Sequence, residues 1–252
     1  MPNNVLITGA SRRIGRAIAV AFAANGWGIA LHYHQSKADA ETLKEELTKI
    51  GANICLIKAD LSDASAVAGI IPQAADGLGA LSCLVNNAAI FEKDTISDAT
   101  TESFHRHLNT NLLAPMLLTQ SFAEQLPEGE QGNIINIADQ RVFNLRPEFT
   151  TYTLSKVGLW TLTQTTAMAL APHIRVNAIG PGPTLANTRQ TAAQFKQQQQ
   201  SVPLGYGPAP EEIAEAILFI VKAKSMTGEF ISLDGGQHLP IFPSEAKEGA
   251  YE

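Results

Sequence analysis

The segment that most constrains the fold is residues 4–26, NVLITGASRRIGRAIAVAFAANG. Its start, 5–8, is a short apolar, β-branched run typical of a buried parallel strand, and a turn of small residues follows at 9–11. The next residues are apolar at helical spacing and end at Asn25-Gly26, a signal for a helix C-terminus. The segment therefore predicts strand, tight turn and helix, the first half of a βαβ unit. The free N–H groups at the start of such a helix favour a phosphate.

The glycines of this turn depart from the usual dinucleotide fingerprint, which has three of them. Gly9 and Gly15 keep the outer places, and Arg13 stands at the middle one. Arg13 is either a surface residue at the start of the helix or a ligand of a cofactor pyrophosphate or a substrate. We favour the second interpretation, because a guanidinium group pairs with phosphate oxygens and stacks on flat rings.

The composition argues against several classes of function. The chain has 252 residues, of which 45% are hydrophobic, enough to build one large core. A formal net charge of −6 and the absence of a basic run argue against a nucleic-acid partner. No apolar run approaches the roughly 18 residues of a membrane span, and no signal-peptide pattern precedes the first strand. We therefore expect a cytoplasmic protein without a membrane partner.

The two cysteines, Cys55 and Cys83, lie in predicted strands. In the usual strand order of a dinucleotide-binding sheet these strands are three steps apart, roughly 14 Å. A disulfide cannot bridge that distance. We expect both cysteines to be small buried hydrophobic residues.

Strand-like and helical segments alternate along the chain. Strands are predicted at 28–33, 53–58, 81–86, 133–137, 175–178 and 229–233, and helices at 37–50, 62–75, 101–125, 151–171 and 211–221. This alternation predicts an α/β fold, a doubly wound Rossmann-type parallel sheet of about seven strands with helices on both faces, over residues 1–239. The 184–210 segment is too long for an ordinary connection and is interpreted as a lid or substrate loop, or else as a disordered insertion. Residues 240–252 are predicted to be an acidic C-terminal tail.

The end of the second strand indicates the cofactor. An NAD enzyme commonly has a carboxylate there, whereas this chain has none until Asp39. His34 and Ser36 offer hydrogen-bond donors to a 2′-phosphate, so NADPH is the expected cofactor. His32 and His34 could instead ligate a metal, but a third ligand at sensible spacing is missing and we expect no metal. The histidines of the long helix, His105 and His107, are predicted to lie on its solvated face.

Two further strand ends fit a dinucleotide. Asp60 and Leu61 follow the third strand, where an adenine edge could bind. Asn87 and Ala88 follow the fourth, with side chains too small to block a ligand. The Asn87 amide could alternatively do no more than tie neighbouring turns together.

The chemistry is predicted at the start of the second long helix, which carries Tyr152 and Lys156. Residues four apart share a helical face, so the phenol and the ammonium are expected to lie side by side. A nearby cation lowers a phenol pKa from its usual value near 10, which would make Tyr152 a proton donor. Lys156 would tune it and bind a ribose.

These motifs together resemble the short-chain dehydrogenase/reductase family over about residues 4–239. The matching pieces are TGASRRIG, DLSD, NNAA, NTNLLAP with Asn111, YTLSK, and PGP at 181–183. The resemblance implies a Rossmann sheet, a catalytic Tyr/Lys pair and a homotetramer formed through the helices near 101–125 and 151–171. The family usually has a serine thirteen residues before the tyrosine, and this chain has Asp139 there.

Asp139 narrows the resemblance, because a carboxylate suits a substrate with basic ring nitrogens better than a ketone. Together with Arg13, LHYHQS after the second strand and Phe91 after NNAAI, it resembles the pteridine reductase branch, including dihydromonapterin reductases. In that branch the aromatic matching Phe91 and the nicotinamide enclose the pterin. Gln35 departs from the arginine often found there, and Ala88 to Ile90 lack the hydroxyls that some members use.

The predicted site divides into three sets. Catalytic residues are Asp139, Tyr152, Lys156 and Asn111; substrate-binding residues are Arg13, Phe91, Asp139 and Tyr152. Cofactor-binding residues are Gly9, Ser11, Arg13, Ile14, Gly15, His32, Tyr33, His34, Ser36, Asp60, Leu61, Asn87, Ala88, Lys156, Pro181, Gly182 and Thr184. Besides Arg13 and Asn87, four of these residues have a structural alternative that stays open: Phe91 as core packing, Asp139 as a turn cap, Asn111 as the holder of a helix kink and Thr184 as the start of a loop.

The sequence thus predicts an NADPH-dependent reductase that transfers a hydride to a ring C=N of a pterin or folate-like dihydropteridine. One alternative is an NADP-linked carbonyl reductase of oxoacyl, sugar or other ketone substrates. A second is a non-catalytic NADP-binding sensor, against which the intact Tyr152/Lys156 pair counts.

Overall fold

The structure is a computed structural model that describes residues 3–187 and 189–239. The predicted C-terminal tail, 240–252, lies outside the described residues. The strands are β1 (Asn4–Ile7), β2 (Gly28–Tyr33), β3 (Ile54–Lys58), β4 (Cys83–Asn86), β5 (Gly132–Ile137), β6 (Ile174–Pro181) and β7 (Phe230–Leu233). The helices are α1 (Arg13–Ala24), α2 (Lys37–Lys49), α3 (Ala64–Ala68), α4 (Ile70–Leu78), α5 (Thr101–Leu108), α6 (Ala114–Gln125), α7 (Thr150–Leu170), α8 (Ala192–Gln200) and α9 (Pro210–Lys222).

The seven strands form one sheet in the order β3-β2-β1-β4-β5-β6-β7, and every neighbouring pair is parallel. The predicted fold class is therefore confirmed. Strand β1 lies between β2 and β4, so the chain winds outward from it in both directions. The crevice at the carboxyl ends of β1 and β4 is the switch point at which such sheets bind ligands.

Both faces of the sheet are covered by apolar helix faces. Val5 and Ile7 of β1 point into the layer formed with α1, α2 and α9, which contains Phe22. Leu6 points into the opposite layer, where Phe122 of α6 is fully buried. A strand buried on both faces has no polar side to alternate, which is why Val5, Leu6 and Ile7 of β1 are all apolar.

Three predicted elements differ in detail. The helix expected at 62–75 is two short helices that join at Gly69, and Asp63 caps the first by accepting a hydrogen bond from the Ser65 N–H (2.9 Å). The helix expected at 101–125 is interrupted by a π-helical turn at Asn109–Leu113. Strand β6 is longer than predicted and runs to Pro181.

The cysteines are both free in the structure. Cys83 is buried as predicted, but Cys55 is only partly buried, because β3 is the edge strand and leaves one flank of that residue open. Within 3–187 and 189–239 no helix has the length and apolar character needed to cross a membrane. The same residues contain no group of three or more potential metal-binding side chains.

Candidate active site

A groove of about 460 Å³ opens at the carboxyl edge of the sheet, above β1, β4, β5 and β6. It brings together most of the predicted site residues: Gly9, Ser11, Arg13, Ile14, Gly15, Ser36, Asn87, Ala88, Phe91, Asp139, Tyr152, Lys156, Pro181, Gly182 and Thr184. The predicted residues that do not line it are His32, Tyr33, His34, Asp60, Leu61 and Asn111.

The turn after β1 is built for close backbone approach. Gly9 has a left-handed backbone (φ 63°) and lies against Ala88, so a side chain there would meet the Ala88 Cα at 3.1 Å. A side chain at Gly15 would lie 2.7 Å from the Asn87 amide nitrogen. Helix α1 begins with no acidic residue in its first turn and no side-chain cap, which leaves its N–H groups available to an anion.

Arg13 occupies the middle position of the turn in a left-handed conformation (φ 54°). That conformation costs a non-glycine residue about 1–3 kcal/mol, so the backbone shape usually provided by a glycine is retained under strain. The guanidinium spans the groove and donates to the carbonyls of Ala186 (2.8 Å) and Leu185 (3.1 Å). Arg13 therefore joins the phosphate-type turn to the segment after β6.

His32 was predicted to bind the cofactor, but the structure places it outside the groove. Its ring is 2% exposed and lies beneath the turn, where Nδ1 accepts the Gly9 N–H (3.1 Å) and Nε2 donates to the Ala59 carbonyl (3.2 Å). Burial lowers the pKa of His32 to about 4, so the ring is neutral at physiological pH. Its function in the structure is to hold Gly9 in place rather than to touch a ligand.

The other predicted cofactor ligands near the ends of β2 and β3 lie in three places: the groove wall, the surface and the core. The hydroxyls of Ser11 and Ser36 lie 2.6 Å apart on the groove wall. The His34 ring is outside it, 3.6 Å from the Asp60 carboxylate, whose pKa is lowered chiefly by the Ser62 backbone N–H. Tyr33 and Leu61 are buried in the core.

Arg12 was not predicted from the sequence, although it lines the groove. It forms an ion pair with Asp39, the first carboxylate after β2. The pair offsets the negative charge that would otherwise face a 2′-phosphate. Asn87 has the tying role foreseen as its structural alternative, since its amide donates to the Thr8 carbonyl (2.8 Å) and the Gly9 carbonyl (3.2 Å).

Asp139, Tyr152 and Lys156 meet on one wall of the groove. The Tyr152 hydroxyl donates to Asp139 Oδ2 (2.7 Å), and Oδ1 of the same carboxylate accepts the Arg141 backbone N–H (2.8 Å). Asp139 is thus both the turn cap considered as an alternative and a direct neighbour of the phenol. The Lys156 ammonium donates to the Ile137 carbonyl (2.7 Å) and lies 5.8 Å from the Tyr152 ring centroid.

The electrostatics of this wall contradict one prediction. Burial and the Asp139 carboxylate raise the pKa of Tyr152 well above its usual value, and the opposing effect of the Arg141 charge is smaller. The expected lowering by Lys156 is therefore wrong in this arrangement. Burial lowers the pKa of Lys156 to about 8, while Asp139 favours the charged form. At neutral pH the Tyr152 phenol is therefore protonated and the Lys156 amine is charged.

Phe91 lines the groove and belongs to an aromatic stack. Its ring lies parallel to that of Phe149 (4.4 Å between centroids, 3° between planes) and edge-on to Tyr152 (4.6 Å). Arg189 donates to the Phe91 carbonyl (2.8 Å), with its guanidinium carbon 5.6 Å from the ring centroid. The Arg141 guanidinium packs on Phe149 at 4.8 Å.

Asn111 lies behind the groove in the π-helical turn. Its Oδ1 accepts the Ile90 N–H (2.9 Å), and its Nδ2 donates to the Ile90 carbonyl (3.0 Å) and to the Ser155 hydroxyl (3.0 Å). These contacts match the helix-kink alternative and fix the segment that carries Phe91 to helix α7.

His107 is a second correction, because it is fully buried rather than solvated. Its Nε2 accepts the Glu92 N–H (3.2 Å), so Nδ1 carries the hydrogen and lies 2.7 Å from the Thr151 hydroxyl. Thr151 in turn donates to Asp94, whose Oδ1 accepts the Thr151 backbone N–H (3.1 Å). This network ties the Phe91 segment to the start of α7 beside Tyr152. His105 is exposed, as expected.

The segment 184–210 contributes to the groove. Thr184 donates to the Gly182 carbonyl (3.1 Å), which fits its alternative as the start of the loop. Side chains of the segment that were not predicted from the sequence line the groove: Leu185, Asn187, Gln190, Phe195 and Gln198. Gln190 precedes α8, and Phe195 and Gln198 lie in it. The mostly polar sequence of this helix did not indicate a function.

Comparison with known proteins agrees with this architecture. The family described as Enoyl-(Acyl carrier protein) reductase matches residues 9–238. The chain belongs to the short-chain dehydrogenase/reductase family.

Two solved structures support the pteridine reductase-like branch, and a third relative is named for a different reductase activity. FolM alternative dihydrofolate reductase 1 from Brucella canis, solved with NADP, is 39% identical with a TM-score of 0.91, covering 97% of this chain and 98% of that one. The same enzyme from Brucella suis, also with NADP, is 40% identical with a TM-score of 0.93, covering 96% and 97%. The 3-oxoacyl-[acyl-carrier-protein] reductase FabG of Staphylococcus aureus is 32% identical over 244 residues, covering 95% of this chain and 99% of FabG.

Proposed function

We propose that the protein is an NADPH-dependent reductase of pterins or folate-like dihydropteridines. The observation that carries the proposal is the hydrogen bond from the Tyr152 hydroxyl to Asp139 Oδ2 (2.7 Å), on the wall that also holds Lys156. The FolM enzymes of Brucella, described as alternative dihydrofolate reductases, point to the same substrate class.

The direction of that hydrogen bond favours a particular substrate. A ketone has no N–H or O–H to offer, so it would leave the Tyr152 proton engaged with the carboxylate. A heterocycle with an amidine edge has N–H donors, which can take the place of the phenol on Asp139 and release the Tyr152 proton toward the substrate. Charge-assisted hydrogen bonds of this kind are roughly twice as strong as neutral ones.

NADPH is the cofactor of the proposed reaction, and the two Brucella neighbours were solved in complex with NADP. The groove fits a dinucleotide: the turn at Gly9 and the uncapped start of α1 would hold the pyrophosphate. Ser11 and Ser36, with Arg12 nearby, offer donors for the adenosine phosphate, and Lys156 would hold a ribose hydroxyl. NADPH, when bound, supplies the hydride.

The protein's side chains supply the proton and the orientation. Asp139 accepts a substrate N–H, and Phe91 provides a flat apolar wall for the ring. Tyr152 holds its proton at neutral pH because its pKa is raised, and it donates that proton to the ring nitrogen next to the reduced carbon. The Arg141 charge then stabilises the phenolate. Hydride and proton together convert the C=N bond into CH–NH.

Replacement of Asp139 by serine tests the proposal against its main alternative, a carbonyl reductase related to FabG. A serine hydroxyl can still accept the Arg141 N–H and preserve the turn, so the variant removes the charge with little change in the loop. We expect NADPH oxidation with dihydrobiopterin or dihydrofolate to fall by about 100-fold or more in kcat/KM.

The same assay can contradict the proposed function in two ways. Wild-type protein that reduces a panel of ketones and neither pterin would contradict the proposal, as would an Asp139→Ser variant that keeps pterin turnover. Asp139→Asn, similar in size and uncharged, is the matched variant that separates the role of the charge from that of shape.

The proposal includes a homotetramer formed through the faces of α5, α6 and α7. Phe104 on α5 and Leu154 on α7, two helices in mutual contact, are 41% and 52% exposed. Burial of such side chains is a common source of association. Light scattering tests the assembly, and a monomer mass at micromolar concentration would contradict it.

A further inference from the structure

The cavity wall next to Asp139 contains two polar groups that the proposed reaction leaves without a binding partner. Gln140 and Arg141 follow Asp139 in a short 3₁₀ turn, Gln140–Val142, and both line the groove. Gln140 is only 5% exposed, and its Oε1 has no hydrogen-bond partner among the described residues. Nη1 of Arg141 is shielded from solvent and is likewise without a partner there.

An unsatisfied buried guanidinium nitrogen is unfavourable, and folded proteins rarely keep one without a reason. Among the residues at 3–187 and 189–239, Arg141 forms no ion pair with a carboxylate. Its position is set instead by its backbone N–H, bound to Asp139 Oδ1 (2.8 Å), and by packing on the Phe149 ring at 4.8 Å. The cation is thus held in place by groups that leave its donors free.

Phe149 is itself held in a strained position. It has a left-handed backbone (φ 63°), its N–H donates to the Asp94 carbonyl (2.7 Å), and its ring stacks on Phe91. Strain of this kind persists only where the surroundings fix it, and it is concentrated at functional sites. The stack therefore connects the Arg141 cation to the aromatic wall on which a flat substrate would lie.

We infer that Arg141 is a specificity-determining residue that binds an oxygen acceptor of the substrate. This inference rests on the proposed function. Asp139 accepts and Arg141 donates, so the two present a complementary pair to a ring that carries an N–H beside an oxo group. The acceptor is either that ring oxo group or a carboxylate on the substituent, and both belong to the class of dihydropteridine substrates.

Steady-state kinetics of Arg141→Met with dihydrobiopterin and dihydrofolate test the inference. Loss of a charge-assisted hydrogen bond is expected to raise KM about tenfold or more, with a smaller change in kcat. A 2,4-diaminopteridine competitor has an amino group in place of the oxo group and cannot accept from Arg141, so its inhibition constant should not change. A parallel rise in KM for both substrates identifies the ring oxo group, whereas a rise for dihydrofolate alone identifies a carboxylate.

The matched control is Arg146→Met, five residues along the same segment, where the arginine is exposed and does not line the groove. Arg141→Lys keeps the charge without the planar fork and should give an intermediate KM. Unchanged KM values in Arg141→Met would overturn the inference, as would an equal weakening of the diaminopteridine, which would indicate a general loss of structure. Wild-type protein without pterin turnover would overturn the proposed function and this inference together, so the two failures are distinguishable.

Discussion

His32 couples the stability of the fold to pH through a single buried ring. Its pKa is lowered from 6.5 to about 4, and burial is the largest cause. A group whose folded pKa is depressed stabilises the fold fully above its unfolded pKa and loses that contribution as the pH falls. At about 1.4 kcal/mol per pKa unit the shift corresponds to about 3 kcal/mol, of which about 2 kcal/mol is lost by pH 5.

Urea unfolding of wild-type protein and His32→Asn between pH 7.5 and pH 4.5 measures this contribution. The variant lacks the titrating ring, so the difference in free energy of unfolding between the two proteins should shrink by about 2–3 kcal/mol as the pH falls. Other carboxylates and histidines titrate in both proteins and cancel in the difference. Protein concentration is held constant because assembly would otherwise alter the apparent stability.

A difference that stays constant across this range would refute the reasoning, since it would mean that His32 titrates equally in the folded and unfolded chains. The structure also links the ring to ligand binding, because Nδ1 accepts the Gly9 N–H of the phosphate-type turn. Protonation removes that acceptor. Because the folded ring has a pKa of about 4, NADPH affinity of the wild-type protein should weaken only as the pH approaches that value.

Two further substitutions test the geometry around the groove. Gly15→Ala places a Cβ 2.1 Å from the Gly9 carbonyl oxygen and 2.7 Å from the Asn87 amide nitrogen, and it should raise the KM for NADPH. Gly69→Ala meets the flexible end of Gln73 at 3.1 Å and the Ala66 carbonyl oxygen at an ordinary 3.7 Å, so it should leave that KM unchanged. Equal KM values would show that the turn adjusts without cost. His107→Phe keeps the ring but leaves the Glu92 N–H without an acceptor, so the free energy of unfolding should fall by about 1–3 kcal/mol, and kcat should fall with it. The exposed His105→Phe on the same helix is the control, and indistinguishable melting curves for the two variants would refute the role of His107.

The sheet and the main site residues could be predicted from local signals. Helical spacing places Tyr152 and Lys156 on one face, and chain order alone predicts that the ends of β1, β4 and β5 share an edge. Asp139 stood out because it departs from the residue usual in the family. Each of these inferences needs only neighbouring residues or a known chain topology.

What the sequence did not reveal depends on contacts between distant segments. His32 and His107 are polar residues whose partners, Gly9 and Thr151, lie 23 and 44 positions away, so their burial cannot be inferred from periodicity. The pKa of Tyr152 is raised by burial and by Asp139 against the opposing Arg141 charge, and the direction of the shift depends on burial and distances that spacing does not give.

The proposed substrate class is compatible with the similarity of the fold to that of FabG. FabG of Staphylococcus aureus matches 95% of the chain, so the features shared with a ketone reductase extend over nearly the whole fold. Shared architecture positions a cofactor, but the groups beside the proton donor decide which substrate can be reduced. Asp139 engages the Tyr152 proton. In the proposed function this one hydrogen bond selects for a substrate that has N–H groups to replace the phenol. Substrate choice within such a family can change at one position beside the tyrosine without any change in the sheet.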